Sequence, residues 1–198
     1  MATLYLKSSS FTGTFTSGWT FASTGVTPNG TSAFMNTGLV PNSAISSQNS
    51  NHLSFYSRSS VAANTAGEIG SVDTITPASY FHSHLYYTGN IHYMLLATDT
   101  AASVANTTSQ GFFNGNRTSS TSVKCFRNGT SLGTASMTSV ALNSLSVFIG
   151  ALSIDGVAAN FSTKQCAFAS IGDGLTDTQA SNFYTAVQAF QTTLSRQV

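Results

Sequence analysis

The feature that most constrains this chain is the brevity and two-residue period of its apolar runs. Leu4 and Leu6 alternate in TLYLK, Leu53 and Phe55 in HLSFYS, Ile91, Tyr93 and Leu95 in IHYMLL, and Leu145, Val147 and Ile149 in LSVFIG. Every second side chain of an extended strand points to the same face, so these runs predict short, half-buried strands. Gly and Asn punctuate them in PNGT, YTGN, FNGN and RNGT, residues that accept turn geometry. The best hairpin is VKCFRNGTSLGT, because Asn128 and Gly129 tolerate the positive φ angles of a tight turn. Many short antiparallel strands, with no helical pattern alternating between them, predict an all-β sandwich or barrel and disfavour a doubly wound α/β fold.

Only the C-terminus reads differently. Thr176 and Gln179 have capping-box spacing, Asp177 suits the positive end of a helix dipole, and Ala180, Phe183, Tyr184, Val187, Phe190 and Leu194 fall on one stripe. The spacing predicts an amphipathic helix within 176–196, running from about Asp177 to Ser195 and roughly 28 Å long at 1.5 Å per residue. Such a helix packs on its own domain or reaches a neighbouring subunit through Phe183, Val187, Phe190 and Leu194. At 198 residues and 20.6 kDa the expectation is one domain over 1–198, with 1–18 as a possible N-terminal strand extension.

Charge narrows the partners. Only 7% of residues are Asp, Glu, Lys or Arg, against roughly 25% in an ordinary soluble domain. Seven Lys/Arg and six Asp/Glu are scattered along the chain, so no basic stripe awaits phosphates and nucleic acid is not an expected partner. A surface with so little repulsion predicts self-association, and a homo-oligomer is expected. No apolar stretch reads as a signal peptide or a membrane-inserted segment. Cys125 and Cys166 lie in strand-like runs far apart in sequence and read as buried free thiols rather than a disulfide framework.

The segments GVTPNGTSAFMNTGLVPNS, HLSFYSR, GFFNGNRTSSTSVKCFRNG, VFIGAL and CAFASIGDGLTDTQASNFYTAVQAFQTTLSR resemble, in that order and spacing, the concanavalin A-like (laminin-G-like) domains of bacteriophage tail and other virion proteins. The resemblance runs from about residue 19 to the C-terminus, and FASIGDGLTD leading into YTAVQAFQTTLSR is its most specific part. It implies a jelly-roll sandwich of two antiparallel sheets with one C-terminal helix. It also implies a virion location, with assembly in the host cytoplasm before release, and other virion proteins as partners. Cys125 departs from the larger apolar residue expected before the Asn-Gly turn, and YFHSHLYYTGNIHYM has no counterpart in the pattern.

Because the same superfamily includes glucanases, catalysis is tested on the residues. A glycosidase needs two carboxylates about 5 to 9 Å apart. Glu68 is the sole glutamate, and Asp73, five positions on, falls on the opposite face of a regular strand. Asp155 and Asp173 sit in Asp-Gly turns that explain them. There is no G-x-S-x-G elbow, dinucleotide loop or phosphate loop. No catalytic residue is expected and the chain reads as non-enzymatic.

Two binding readings remain. A hairpin turning near Gly89 gives His82, His84, Tyr86 and His92 one parity, so His82, His84 and His92 are the candidate ligands of a transition metal; packing imidazoles are the plainer alternative. Asp99 and Asp155 are weak candidates for calcium. For a glycan, Trp19, Tyr56, Tyr86 and Tyr87 are the aromatic platforms, with core packing the stronger reading of Trp19. No cofactor is called for by the sequence. The chain therefore reads as a virion structural or adhesion protein acting through protein contacts. The alternative is a lectin-like module for host-surface polysaccharide.

Overall fold

The computed structural model describes residues 12–75 and 77–198; the Leu4 and Leu6 alternation, and any strand built from MATLYLK, lie outside the described residues. In chain order the elements are β1 (Thr14–Phe15), β2 (Trp19–Ala22), β3 (Gly25–Pro28), β4 (Met35–Asn36), α1 (Pro41–Ala44), β5 (Asn51–Ser57), β6 (Ile69–Asp73), β7 (Ser79–Tyr87) and β8 (Ile91–Thr98). There follow β9 (Ser103–Ala105), β10 (Gly111–Arg117), β11 (Ser122–Arg127), β12 (Thr130–Ser136), β13 (Phe148–Ile149), β14 (Leu152–Ile154), β15 (Val157–Ala159), β16 (Cys166–Gly172) and α2 (Asp177–Thr193).

Among the described residues the strands form two sheets, as the alternation predicts. A nine-stranded sheet runs β1-β4-β13-β6-β7-β8-β9, with β14 joined in parallel to β6 and carrying β15. A seven-stranded sheet runs β12-β11-β10-β5-β16-β3-β2. Leu53, Phe55, Phe113, Val123 and Cys125 from the second sheet meet Ile69, Phe81, Leu85, Met94 and Leu96 from the first in one core. This is a jelly-roll-like sandwich, and its stability rests on the apolar area buried between the sheets. Cys125 and Cys166 are buried free thiols, and burial pushes both up to about 12.

The Asn128-Gly129 turn joins β11 to β12 with φ of 50° and 74°, the positive values that the dipeptide was expected to supply. FNGN, by contrast, is no turn. The strand β10 runs straight through Asn114 and Gly115, and a Cβ on Gly115 would land on Met94 of the facing sheet. The glycine is there to let the two sheets approach.

The helix has its capping box: Thr176 Oγ1 accepts from Gln179 N at 3.3 Å, and Gln179 Oε1 accepts from Thr176 N at 2.9 Å. It lies on the outer face of the seven-stranded sheet, where Val187, Phe183 and Tyr184 cover Tyr56, Phe112 and Phe168. Phe183 meets the Phe112 ring edge-on at 5.5 Å. Packing on the same domain thus consumes Phe183 and Val187, two of the residues proposed for assembly. The stripe also ends sooner than its spacing implies. Gln191 is the buried residue of the last turn, donating to Ala167 O at 3.3 Å, while Phe190 and Leu194 are 50% and 39% exposed. Ala167 lies at the start of β16, so the final turn meets a strand end rather than sheet.

On the other sheet, β7 and β8 pair regularly from His82–Leu95 to His84–Tyr93 and then shift register before Tyr87–Ile91. Beside this hairpin Gly70 of β6 faces His82 with φ of 143°, and a Cβ there would fall on the His82 backbone and Cβ. Substituting Gly70→Ala is expected to destabilise the fold by about 2–4 kcal/mol, through strained backbone plus overpacking. Urea unfolding midpoints would measure it, and a loss below about 0.5 kcal/mol would contradict this reading of the β6–β7 contact.

Candidate functional site

Among the described residues no helix lies over the outer face of the nine-stranded sheet. There Val72, Thr74, Tyr80, His82, His84, Tyr87, Tyr93, Leu95 and Ala101 line a depression of about 290 Å³, near the lower end of the range for small-ligand sites, about 300–1,000 Å³. Alternation builds it: Tyr80, His82 and His84 project outward from β7, while Phe81, Ser83 and Leu85 turn inward. On β8 Tyr93 and Leu95 line the depression, with Leu95 itself buried and packed into the same core as Met94 and Leu96.

The lining is a chain of edge-to-face rings. His82 and His84 have centroids 4.9 Å apart, His84 lies 5.2 Å from Tyr87 and 6.0 Å from Tyr93, and the two tyrosines are 5.1 Å apart. This T-shaped packing fixes ring orientation at little cost in area. Among the described residues no Asp, Glu, Lys or Arg side chain lines the depression. Both imidazoles are nearly enclosed, each 6% exposed. Burial lowers the pKa of each: His82 well below 6.5, with the neighbouring His84 adding to the effect, and His84 less, because Glu68 and the Ala66 hydrogen bond oppose it. His84 Nδ1 lies 2.9 Å from Ala66 O; a carbonyl only accepts, so the proton sits on Nδ1 and Nε2 is left as an acceptor. His82 Nδ1 is buried with no hydrogen-bond partner among the described residues.

What aims Tyr87 into this site is the bulge in β7, and four peptide groups of that bulge are met by other parts of the chain. His92 Nδ1 donates to His84 O at 3.0 Å. Glu68 Oε2 accepts from Leu85 N at 2.7 Å, Asn106 Nδ2 donates to Leu85 O at 2.6 Å, and Asn64 N donates to Tyr86 O at 3.2 Å. The extra residue shifts the parity, so Tyr87 and not Tyr86 joins His84 on the outer face.

His92 does not join His82 and His84: it points into the sandwich, its ring 5.3 Å from Phe113, because β8 pairs His84 with Tyr93 rather than a residue of His92 parity. Among the described residues no three His, Cys, Asp or Glu side chains gather to hold a metal, so the three-histidine metal site is withdrawn. Asp155 does not offer free calcium ligands, since Thr74 donates to its carboxylate through N at 2.8 Å and Oγ1 at 2.5 Å, and these bonds lower its pKa. Asp99 is exposed and accepts from Thr100 Oγ1 at 3.0 Å.

Of the glycan platforms only Tyr87 lies in the depression. Tyr56 is fully buried beneath α2, donating to Gln188 Oε1 at 2.9 Å and accepting from Val198 N at 3.0 Å. Tyr86 turns away and donates to Asn90 Oδ1 at 2.8 Å. Trp19 packs at the core margin, 5.2 Å from the Phe15 ring and donating to Phe34 O at 3.3 Å, which accords with its core reading. Tyr80 and Tyr93 are the site residues that the sequence reading passed over; the alternation Tyr80, His82, His84 was visible, but Tyr93 needed the pairing register.

No protein-family model and no curated protein sequence matches the chain. Solved structures do. Domain 4 of AbnA, a GH43 extracellular arabinanase from Geobacillus stearothermophilus solved with arabinotriose, is similar with a TM-score of 0.51 and 14% identity over 89% of this chain and 90% of that one. The botulinum neurotoxin serotype G binding domain matches with a TM-score of 0.51 and 13% identity over 92% of this chain and 48% of that one. Trypanosoma rangeli sialidase in complex with 2,3-difluorosialic acid matches with a TM-score of 0.50 and 8% identity over 86% of this chain and 28% of that one. These likenesses establish the β-sandwich fold.

His92 gives the site's support a pH dependence. Its folded pKa is lowered by burial from 6.5 to about 4, so below pH 6.5 the unfolded chain binds a proton that the folded chain refuses. Stability is therefore fully present above pH 6.5 and is withdrawn as pH falls towards 4, by about 3 kcal/mol for this residue; His82, His84 and His52 act in the same direction. Urea midpoints measured from pH 7 to pH 4 are expected to fall, and His92→Gln is expected to flatten that slope. An unchanged slope in the variant would contradict the assignment.

Proposed function

We propose that this domain is a carbohydrate-binding module that seats a neutral saccharide in the depression of Tyr80, His82, His84, Tyr87 and Tyr93. The observation that carries the reading is the combination of partly exposed tyrosine rings with an enclosed imidazole whose Nδ1 is unmet. Sugar rings present C–H faces to aromatic rings and hydroxyls to polar atoms, and a hydroxyl both donates and accepts. The hydroxyl of a bound sugar supplies the partner that His82 lacks, and the Nε2 of His84 offers a further acceptor. A lining without charge favours a neutral sugar over an acidic one, whose carboxylate would be desolvated with no cation beside it. The volume suits a chain end or a short stretch of rings rather than a long oligosaccharide groove. The binding of arabinotriose by one similar domain and the binding role of another, as their descriptions state, agree with this reading.

A second reading, assembly within a virion, draws on the sequence resemblance and on Phe190 and Leu194, which remain exposed after α2 has packed. The two are compatible, because the depression and the helix lie on opposite outer faces of the sandwich. Sedimentation across a concentration series, comparing the native chain with Phe190→Ser/Leu194→Ser, tests the second: a concentration-dependent oligomer lost in the variant supports it, and a monomer throughout counts against it.

Titration calorimetry against a panel of neutral and acidic oligosaccharides tests the first. Binding to a neutral member, weakened about tenfold or more by Tyr87→Ala or Tyr93→Ala, corresponds to about 1.4 kcal/mol per ring lost and is the expected result. Binding that survives the double variant, or binding only to acidic members, would move the site elsewhere.

A further inference from the structure

The sole glutamate of the chain and one of its three lysines meet where no solvent reaches. Lys164 Nζ lies 2.7 Å from Glu68 Oε1, and both side chains have no exposed surface. The same Nζ lies 3.2 Å from Asn64 Oδ1. An amine and a carboxyl group with no exposed surface thus converge with the primary amide of half-buried Asn64. In a chain with so few charges, burying this pair is a weak route to stability, because each ion loses its hydration on the way in. From this convergence we propose that Lys164 and Asn64 form an intramolecular isopeptide bond, with Glu68 as the proton carrier.

The surroundings match each step of that amide exchange. Glu68 takes a proton from the Lys164 ammonium along their hydrogen bond, leaving a neutral pair in place of two buried charges. The freed Nζ lone pair forms a bond to Asn64 Cγ, the carbon that bears the Oδ1 lying 3.2 Å from Nζ. Charge then develops on Asn64 Oδ1, which already accepts from the Ala66 N–H at 3.0 Å, a fixed donor aimed at the oxyanion. A second proton passes from Nζ through Glu68 to Nδ2, the Cγ–Nδ2 bond breaks, and ammonia leaves with the remaining proton as ammonium. One isopeptide N–H remains and Glu68 ends as a carboxylate. No oxidant, reductant or added reagent enters.

The reacting groups are also held still. Glu68 is fixed by Leu85 N at 2.7 Å on one oxygen and by Ser162 Oγ at 3.2 Å on the other. Asn64 forms an isolated bridge with Tyr87 of β7. The two participating segments are laced together where Gly67 N donates to Asn160 O at 2.8 Å. The bond would close a loop between positions 100 apart in sequence, a long covalent closure of the kind that restricts the unfolded chain most.

Mass spectrometry of the folded, tag-free chain decides it. The expected product is lighter than its sequence by one ammonia, about 17 Da, a covalent change of the backbone-sparing kind. Trypsin is expected to release residues 59–117 joined to residues 128–196, with Lys164 uncut. Asn64→Ala keeps the Glu68–Lys164 pair and is expected to fold with an unmodified mass and a lower thermal midpoint. Glu68→Gln is expected to leave Lys164 and Asn64 unjoined. An unmodified mass in the native chain overturns the proposal. So does loss of ammonia without the joined peptides, which is the signature of a succinimide at an asparagine.

Discussion

A carboxylate and an ammonium 2.7 Å apart with no exposed surface hold together the side of the sandwich that carries the site. Placing Glu68 and Lys164 there costs each its hydration, and only further hydrogen bonds make the arrangement tolerable. Those bonds are also what shape the site. The second carboxylate oxygen accepts Leu85 N in the β7 bulge, and the bulge decides that Tyr87 faces the depression. The ammonium ties in Asn64, whose own N–H holds the Tyr86 carbonyl. Before Lys164 and Asn64 are joined, removing either charge would leave the other buried and unpaired, a loss of about 3–5 kcal/mol, and removing Glu68 would release the bulge that aims the aromatic rings.

The two outer faces of the sandwich are used differently, and the difference follows from what covers them. On the seven-stranded sheet, Tyr56, Phe112 and Phe168 point outward and need cover, which α2 supplies with Phe183, Tyr184 and Val187. On the nine-stranded sheet no helix among the described residues receives the outward rings of Tyr80, Tyr87 and Tyr93. They pack on the histidines and one another, leaving a depression with an unmet imidazole nitrogen. The same alternation that makes a core on one face therefore leaves a depression on the other, where no helix among the described residues covers the rings.

The histidines show how much of such a site a linear pattern carries. His82 and His84 share a face, as two residues separated by one position in a regular strand must. His92 was expected beside them by counting through the hairpin, but the register shift before Tyr87 breaks the count. His92 lies in the core, where its Nδ1–H supports the His84 carbonyl. It shapes the site from behind instead of lining it. Tyr86 and Tyr87 exchange roles for the same reason.

Sequence alone determined what local chemistry controls. Period-two runs dictated strands, Thr176 and Gln179 started the helix, Asn128-Gly129 turned the β11–β12 hairpin, and a solitary glutamate precluded a pair of glutamates. The tertiary structure decided what depends on contacts between distant segments. Tyr56 alternates like a surface residue and is buried because α2 folds back over it. The Asn-Gly of FNGN resembles a turn and lies in a central strand because Met94 needs the space. The bulge is set by Glu68, Asn106 and His92, from 8 to 21 positions away from the groups they hold. Lys164 reaches Glu68 across 96 positions. Parity along a strand is a local property, but one inserted residue reverses it, and only the partners that satisfy the bulge specify where that residue sits.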